Sequence, residues 1–125
     1  MTKEQPVIAV VDDEPEMRKA LCRLLATRGF RSEEYECGED FLAALGSRHL
    51  DLVLLDLQLP GIKGFDVLEA LSLRHILVPV IVITAHDKPG AAERVRALGA
   101  CAYLRKPIEL EVLLAAIAEA SSCTP

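Results

Sequence analysis

The chain alternates strand-like and helix-like patterns five times, and this alternation restricts the fold more than any other feature of the sequence. Three apolar runs, Val7–Val11, Leu52–Leu55 and Pro79–Ile83, consist almost entirely of Val, Leu and Ile. Continuous runs of this kind are typical of strands buried on both faces of a parallel sheet. Weaker patterns at Phe30–Tyr35 and Ala102–Leu104 complete the set of five strands, and the first of these two is predicted at a sheet edge.

Each strand pattern is followed by apolar residues at helical spacing, and no hairpin signal separates the strands. Five βα units of this kind predict an α/β fold, in which one parallel sheet lies between two layers of helices. The common strand order for such a three-layer sandwich is 2-1-3-4-5, which makes the first and third strands neighbours. Ligands bind at the carboxyl ends of the strands in sheets of this type.

The length of 125 residues fits one domain. We therefore expect residues 1–125 to form a single domain with a core from about residue 7 to residue 120. The polar residues 121–125 are interpreted as a tail or as the stub of a linker. Both a stand-alone domain and a domain excised from a longer protein agree with this sequence.

Composition narrows the class of protein. The net charge of −5 argues against a nucleic-acid-binding surface in this chain, because such domains usually carry a basic face. No C-x-x-C pair or zinc spacing occurs among Cys22, Cys37, Cys101 and Cys123, so we predict free thiols, with Cys22 and Cys101 in the core. Free thiols indicate a reducing compartment. The run Val7–Val11 is too short for a signal peptide or a membrane span, and we expect a cytoplasmic protein without membrane contact.

Five polar residues lie where strands end. Asp12 and Asp13 follow the first strand, Asp56 ends the third, Thr84 ends the fourth, and Lys106 follows the fifth. Because the carboxyl ends of parallel strands meet at one edge of the sheet, we expect these side chains to converge there.

This set of residues predicts phosphoryl chemistry. Three carboxylates in one cleft repel one another, and a hard divalent cation relieves that repulsion; Mg²⁺ fits best, with Mn²⁺ as the alternative ion. Asp56 is the predicted nucleophile, because a carboxylate needs no general base to attack phosphorus. The Lys106 ammonium and the Thr84 hydroxyl would then bind phosphoryl oxygens. Taken singly, Lys106 could be a surface lysine and Asp12-Asp13 a helix cap; their joint occurrence at the correct strand ends favours the site.

Four motifs together resemble the receiver domains of bacterial two-component response regulators, and the resemblance covers about residues 7–120. They are Val10-Val11-Asp12-Asp13-Glu14, Leu54-Leu55-Asp56-x-x-x-Pro60-Gly61-x-x-Gly64, Thr84-Ala85 and Lys106-Pro107. The resemblance implies a flavodoxin-like (βα)₅ fold. It also implies that a sensor histidine kinase or a histidine phosphotransfer protein supplies the phosphoryl group to Asp56.

The same resemblance implies further roles. Asp12, Asp13 and Asp56 match the metal-binding acids, and the backbone carbonyl of Gln58 matches the remaining protein ligand. Thr84 and Tyr103 match a switch pair that would alter the surface of the fourth helix, fifth strand and fifth helix, where a partner or a second copy would bind. Such a domain is a switch rather than an enzyme, although it catalyses its own phosphorylation and dephosphorylation. A cis bond between Lys106 and Pro107 is also implied.

Two variable positions are predicted to set the lifetime of the phosphate. Gln58 lies two residues after the acceptor, and His86 lies two residues after Thr84, so both could flank an attacking water. His86 could equally be an exposed loop residue, and His49 and His75 are predicted at the surface.

A weaker resemblance joins the chain to receivers of nitrogen-fixation-type regulators. It is carried by Ile83-Thr84-Ala85-His86, Ala97-Leu98-Gly99-Ala100 and Leu104-Arg105-Lys106-Pro107. Such regulators usually carry a helix-turn-helix, and this sequence contains none.

Three other functions are compatible with parts of this sequence pattern. A haloacid-dehalogenase-type phosphatase needs a second Asp two residues after the nucleophile, where this chain has Gln58. A flavin binder needs phosphate-binding donors in the first loop, and Asp12-Asp13-Glu14-Pro15 is acidic instead. An interaction module of the same fold that acts without phosphorylation is the main alternative.

Overall fold

The structure is a computed structural model that describes residues 5–122. Five strands and five helices alternate along the chain. They are β1 (Val7–Val11), α1 (Pro15–Ala26), β2 (Arg31–Tyr35), α2 (Gly38–Ala44), β3 (Leu52–Asp56), α3 (Gly64–Leu73), β4 (Val80–Thr84), α4 (Ala91–Ala97), β5 (Ala102–Arg105) and α5 (Leu110–Ser122). The strands form one sheet in the order β2-β1-β3-β4-β5, and every pair is parallel. This confirms the predicted fold class, the strand order and the edge position of β2.

Each face of the sheet carries its own hydrophobic core, because successive residues of a strand point to opposite faces. On one face Val10, Leu54 and Ile81 pack with residues of α1 and α5. On the other face Leu55 and Val82 pack with residues of α2, α3 and α4. The helices therefore form two layers around the sheet, as the five βα units predict.

The register brings the polar strand ends to one edge. Val11 of β1 lies opposite Leu55 of β3, so Asp12 and Asp56 are the next residues on two adjacent strands. Asp56 lies opposite Ile83, one residue before Thr84. The carboxyl ends of β1, β3 and β4 are therefore level with one another.

Some boundaries differ from the sequence prediction. β2 begins at Arg31 rather than at Phe30, and α5 continues through Ser121 and Ser122, the first two residues of the predicted tail. Residues 123–125, including Cys123, lie outside the described part of the chain. None of the three described cysteines is in a disulfide, and Cys22 and Cys101 are half-buried at the margin of a core rather than inside it. Within residues 5–122 no helix has both the length and the apolarity that a bilayer span requires.

Candidate functional site

Three aspartates meet at the carboxyl edge of the sheet. One carboxylate oxygen from each of Asp12, Asp13 and Asp56 lies within 4.8 Å of the others. Asp12 is 2 % exposed and Asp56 is 3 % exposed, while Asp13 faces solvent. The site thus combines two buried carboxylates with one exposed carboxylate.

Backbone amides orient the two buried carboxylates. The amide of Gln58 donates a hydrogen bond of 3.0 Å to Oδ1 of Asp56, and the amide of Glu14 donates one of 2.9 Å to Oδ1 of Asp12. Each contact is local, because the chain turns immediately after the strand ends. The Oδ2 atoms of both aspartates are then directed toward Lys106.

Lys106 lies among three carboxylates. Its Nζ is 2.9 Å from Asp12 Oδ2, 3.3 Å from Asp56 Oδ2 and 3.2 Å from Glu14 Oε1. Burial alone would lower the pKa of Lys106, but the hydrogen bond to Asp12 and the charges of Asp56 and Asp12 raise it well above its usual range. Lys106 is therefore a fixed positive charge in this site.

Asp56 has an unfavourable environment for its charge. Burial, together with the nearby charge of Asp12, raises the pKa of Asp56, while the Gln58 amide and Lys106 oppose that rise. The carboxylate is thus poorly compensated, which favours binding of a further cation beside it.

Thr84 is the last residue of β4, and Tyr103 is the second residue of β5. Thr84 is fully buried, and its Oγ1 accepts a hydrogen bond of 3.1 Å from the His86 amide and lies 3.2 Å from the His86 carbonyl oxygen. The Tyr103 hydroxyl donates a hydrogen bond of 2.8 Å to Asp87 Oδ1, and Arg105 contacts the other oxygen of Asp87 at 3.3 Å. Tyr103 is therefore directed toward the loop between β4 and α4. Burial and the Asp87 contact raise the pKa of Tyr103 to about 12.

The two predicted rate-tuning residues line the same cavity. Gln58 and His86 line a space of about 330 Å³, and both residues are exposed. Arg94 lies on the α4 side of this space, with its guanidinium carbon 3.9 Å from the centre of the Phe65 ring. His49 and His75 are exposed, as predicted. The peptide bond between Lys106 and Pro107 is cis.

The donor set fits a hard cation. Asp12, Asp13 and Asp56 offer only carboxylate oxygens, which are the ligands that Mg²⁺ and Mn²⁺ prefer. No histidine or cysteine belongs to this cluster, so the residues do not match the usual ligands of zinc.

Several contacts at the site have no signal in the sequence. Glu14 binds Lys106, Arg18 binds the backbone of Asp12, and Asp87 binds Tyr103. Each partner is a charged residue near a strand end or in the first turns of a helix, where charged side chains are common. Which of them meet depends on how separate elements pack against one another.

Residues 8–118 match the family model described as the response regulator receiver domain.

Two curated relatives and two solved structures illustrate the similarity. The DNA-binding transcriptional regulator NtrC of Salmonella typhimurium is 36% identical over 119 residues, which are 95% of this chain and 25% of the relative. The transcriptional regulatory protein FixJ of Rhizobium meliloti is 36% identical over 115 residues, 91% of this chain and 56% of the relative. The FixJ-N crystal structure superimposes with a TM-score of 0.88 at 31% identity, covering 97% of each chain. A CheY-like receiver domain protein from Methanospirillum hungatei gives a TM-score of 0.86 at 27% identity, covering 94% of each chain. The chain thus spans between a quarter and just over half of these curated relatives.

Proposed function

The chain belongs to the response regulator receiver domain family of two-component signal transduction, and we propose that it switches by accepting a phosphoryl group on Asp56. The observation that carries this proposal is the meeting of Asp12, Asp13, Asp56 and Lys106 in one cleft. The donor would be a phosphohistidine of a sensor histidine kinase or of a histidine phosphotransfer protein in the cytoplasm. The domain is a switch and not a classical enzyme, since the acceptor is its own side chain.

Asp56 would act as the nucleophile. Its Oδ1 accepts a hydrogen bond from the Gln58 amide, and its Oδ2, which lies 3.3 Å from the Lys106 ammonium, would attack the phosphorus atom. The new O–P bond forms as the P–N bond of the phosphohistidine breaks, and the imidazole nitrogen leaves with the electron pair of that bond. In self-dephosphorylation, a water oxygen attacks phosphorus and Asp56 leaves as a carboxylate.

The remaining site residues would stabilise charge. Lys106 is close enough to Asp56 to bind an oxygen of a phosphoryl group attached to it. The Thr84 hydroxyl lies at the neighbouring strand end, where it would bind another phosphoryl oxygen. Asp12, Asp13, Asp56 and the Gln58 carbonyl would hold Mg²⁺, or Mn²⁺ in its place. When bound, that ion supplies positive charge for the phosphoryl oxygens.

Thr84 and Tyr103 would carry the signal to the surface. Movement of the Thr84 hydroxyl toward a phosphoryl group would break its contact with the His86 amide and free space beside β4. Tyr103 would leave Asp87 and turn inward, which changes the face formed by α4, β5 and α5. We propose that this face binds a partner, an output domain or a second copy of the chain.

Intact-mass spectrometry tests the proposal directly. Incubation with acetyl phosphate and Mg²⁺ is expected to add one phosphoryl group to the protein, and the adduct should be absent without Mg²⁺ and absent in Asp56→Asn. Asp51→Asn is a suitable control, because Asp51 is exposed and outside the carboxylate cluster. If the parent neither forms the adduct nor binds beryllofluoride with Mg²⁺, the chain would instead be an interaction module that acts without phosphorylation.

Gln58 and His86 are proposed to set the rate of self-dephosphorylation. Both are exposed and line the same cavity, and they follow Asp56 and Thr84 by two residues, so they would limit the approach of water. We expect the phosphate lifetime to change severalfold in Gln58→Ala and in His86→Ala, measured as decay of the phosphorylated mass after the donor is removed. Equal lifetimes in both variants and the parent would rule out this role.

A further inference from the structure

Arg18 contacts the backbone that carries the two N-terminal acids of the site. It lies in α1, its side chain is 12% exposed, and its Nη1 donates a hydrogen bond of 2.7 Å to the backbone carbonyl of Asp12. Its Nε donates a second hydrogen bond, of 3.2 Å, to Oε1 of Glu34 on β2. The guanidinium therefore connects the end of β1 to the neighbouring edge strand.

With Arg18 in place, every polar group of Asp12 has a partner. Its amide donates to the Tyr35 carbonyl at 3.1 Å, and its carbonyl accepts from Arg18. Its Oδ1 accepts from the Glu14 amide and its Oδ2 from Lys106. The amide is thus paired with β2, Oδ1 with the local turn and Oδ2 with Lys106. Only the carbonyl depends on a side chain from a helix, that of Arg18.

The carbonyl of Asp12 belongs to the peptide unit that joins Asp12 to Asp13. Because a peptide unit is planar, a partner that fixes the direction of this carbonyl also fixes the direction in which the chain reaches Asp13. Asp13 is exposed, so the position of its carboxylate depends on the backbone that carries it. The contact from Arg18 therefore bears on both acids at once.

From this geometry we propose that Arg18, oriented by Glu34, is a positioning residue that presets Asp12 and Asp13 for divalent cation binding. The inference rests on the proposed function, since it assumes that the carboxylate cluster takes Mg²⁺. Mg²⁺ requires near-ideal octahedral geometry, and the loss of a partner that orients a metal ligand typically lowers metal affinity by 10- to 100-fold.

Charge and positioning predict opposite results for the same substitution. If Arg18 acted only as a positive charge, its removal would reduce repulsion of the cation and strengthen Mg²⁺ binding. If it acts by fixing the Asp12–Asp13 peptide, its removal weakens binding. We expect the Kd for Mg²⁺ to rise about 10-fold in Arg18→Ala. Arg18→Lys keeps the positive charge but cannot make both the contact with the Asp12 carbonyl and the contact with Glu34. The Kd of Arg18→Lys for Mg²⁺ should therefore also rise, by a smaller factor.

Titration of the ¹⁵N-labelled full chain with MgCl₂, followed by two-dimensional NMR, reports folding and Mg²⁺ affinity in one experiment. Arg48→Ala is the matched control, because Arg48 forms a 3.2 Å ion pair with Glu33, the residue of β2 beside Glu34. The Kd of Arg48→Ala for Mg²⁺ should equal that of the parent. Glu34→Gln gives a milder test if Arg18→Ala does not fold, and its Kd should rise about threefold as Arg18 loses its orienting partner.

Two outcomes would overturn the inference and are distinct from each other. Unchanged or tighter Mg²⁺ binding in the Arg18 variants and in Glu34→Gln, with normal binding by the parent, would remove the positioning role and leave the proposed function intact. An absence of Mg²⁺-dependent shifts in the parent would contradict the metal site itself, and the inference with it.

Discussion

Replacing Lys106 with alanine is expected to lower the free energy of unfolding of the metal-free domain by about 3 kcal/mol at neutral pH, which is the usual cost of removing one partner from a buried ion pair. The Lys106 ammonium contacts Asp12 and Asp56, and these three side chains are 10%, 2% and 4% exposed. Without it, two buried carboxylates would face each other with no compensating charge. Urea denaturation followed by circular dichroism, in buffer with a chelator, measures the loss.

The pH dependence of this effect follows from Asp56. Burial and the charge of Asp12 raise the pKa of Asp56 on folding. The contribution of protonated Asp56 to stability is therefore fully present below the unfolded pKa of about 3.9. This contribution is lost as the pH rises through the folded pKa. Removing Lys106 raises that folded pKa further. The difference in stability between Lys106→Ala and the parent should therefore shrink as the pH falls toward about 4. For the same reason, Asp56→Asn is expected to be more stable than the parent at pH 7.

Mg²⁺ supplies a second test of the same charges. A cation bound among the carboxylates replaces part of the compensation that Lys106 provides, so millimolar Mg²⁺ should restore part of the lost stability. Lys19→Ala, which removes an exposed lysine of α1, is the control and should stay within about 0.5 kcal/mol of the parent. A Lys106→Ala variant as stable as the parent in chelator at pH 7 would show that the buried charges are not coupled as the structure indicates.

The second large effect is expected at Gly64, the first residue of α3. A Cβ atom at this position would lie 2.8 Å from the Asp56 carbonyl oxygen and 2.8 Å from the Leu57 Cα, both of which are backbone atoms. Such atoms cannot move aside alone, so Gly64→Ala must displace α3 or the end of β3. We expect a loss of about 1–3 kcal/mol in stability, as for other overpacked sites.

The same substitution should slow phosphorylation. The backbone that the added methyl group would meet belongs to the acceptor Asp56 and to Leu57, and a misplacement of about 1 Å can slow a reaction by as much as 100-fold. We expect the rate of adduct formation with acetyl phosphate to fall at least about tenfold in Gly64→Ala. Gly46→Ala is the matched control, because a Cβ there meets no atom within 4 Å. Equal rates in the two variants would mean that the close approach at Gly64 does not position Asp56.

Much of the fold could be predicted because the strongest patterns are local. β1 was predicted with its observed bounds and β4 within one residue, since continuous apolar runs leave few alternatives to a buried strand. The strand pattern of β2 is weaker, because Arg31–Tyr35 is polar and lies partly exposed at the sheet edge. In the helix after it, Phe41 is fully buried.

The candidate site also has one part that the sequence predicts and one part that it does not. The sequence by itself determined which residues follow the strand ends, and the strand order then required Asp12, Asp56 and Lys106 to lie on one edge of the sheet. Only the tertiary structure decided that Arg18 binds the carbonyl of Asp12 and that Asp87 holds the Tyr103 hydroxyl. The physical reason is range: strand and helix patterns reflect neighbours within one element, whereas a contact between groups of different elements depends on how those elements are placed against one another.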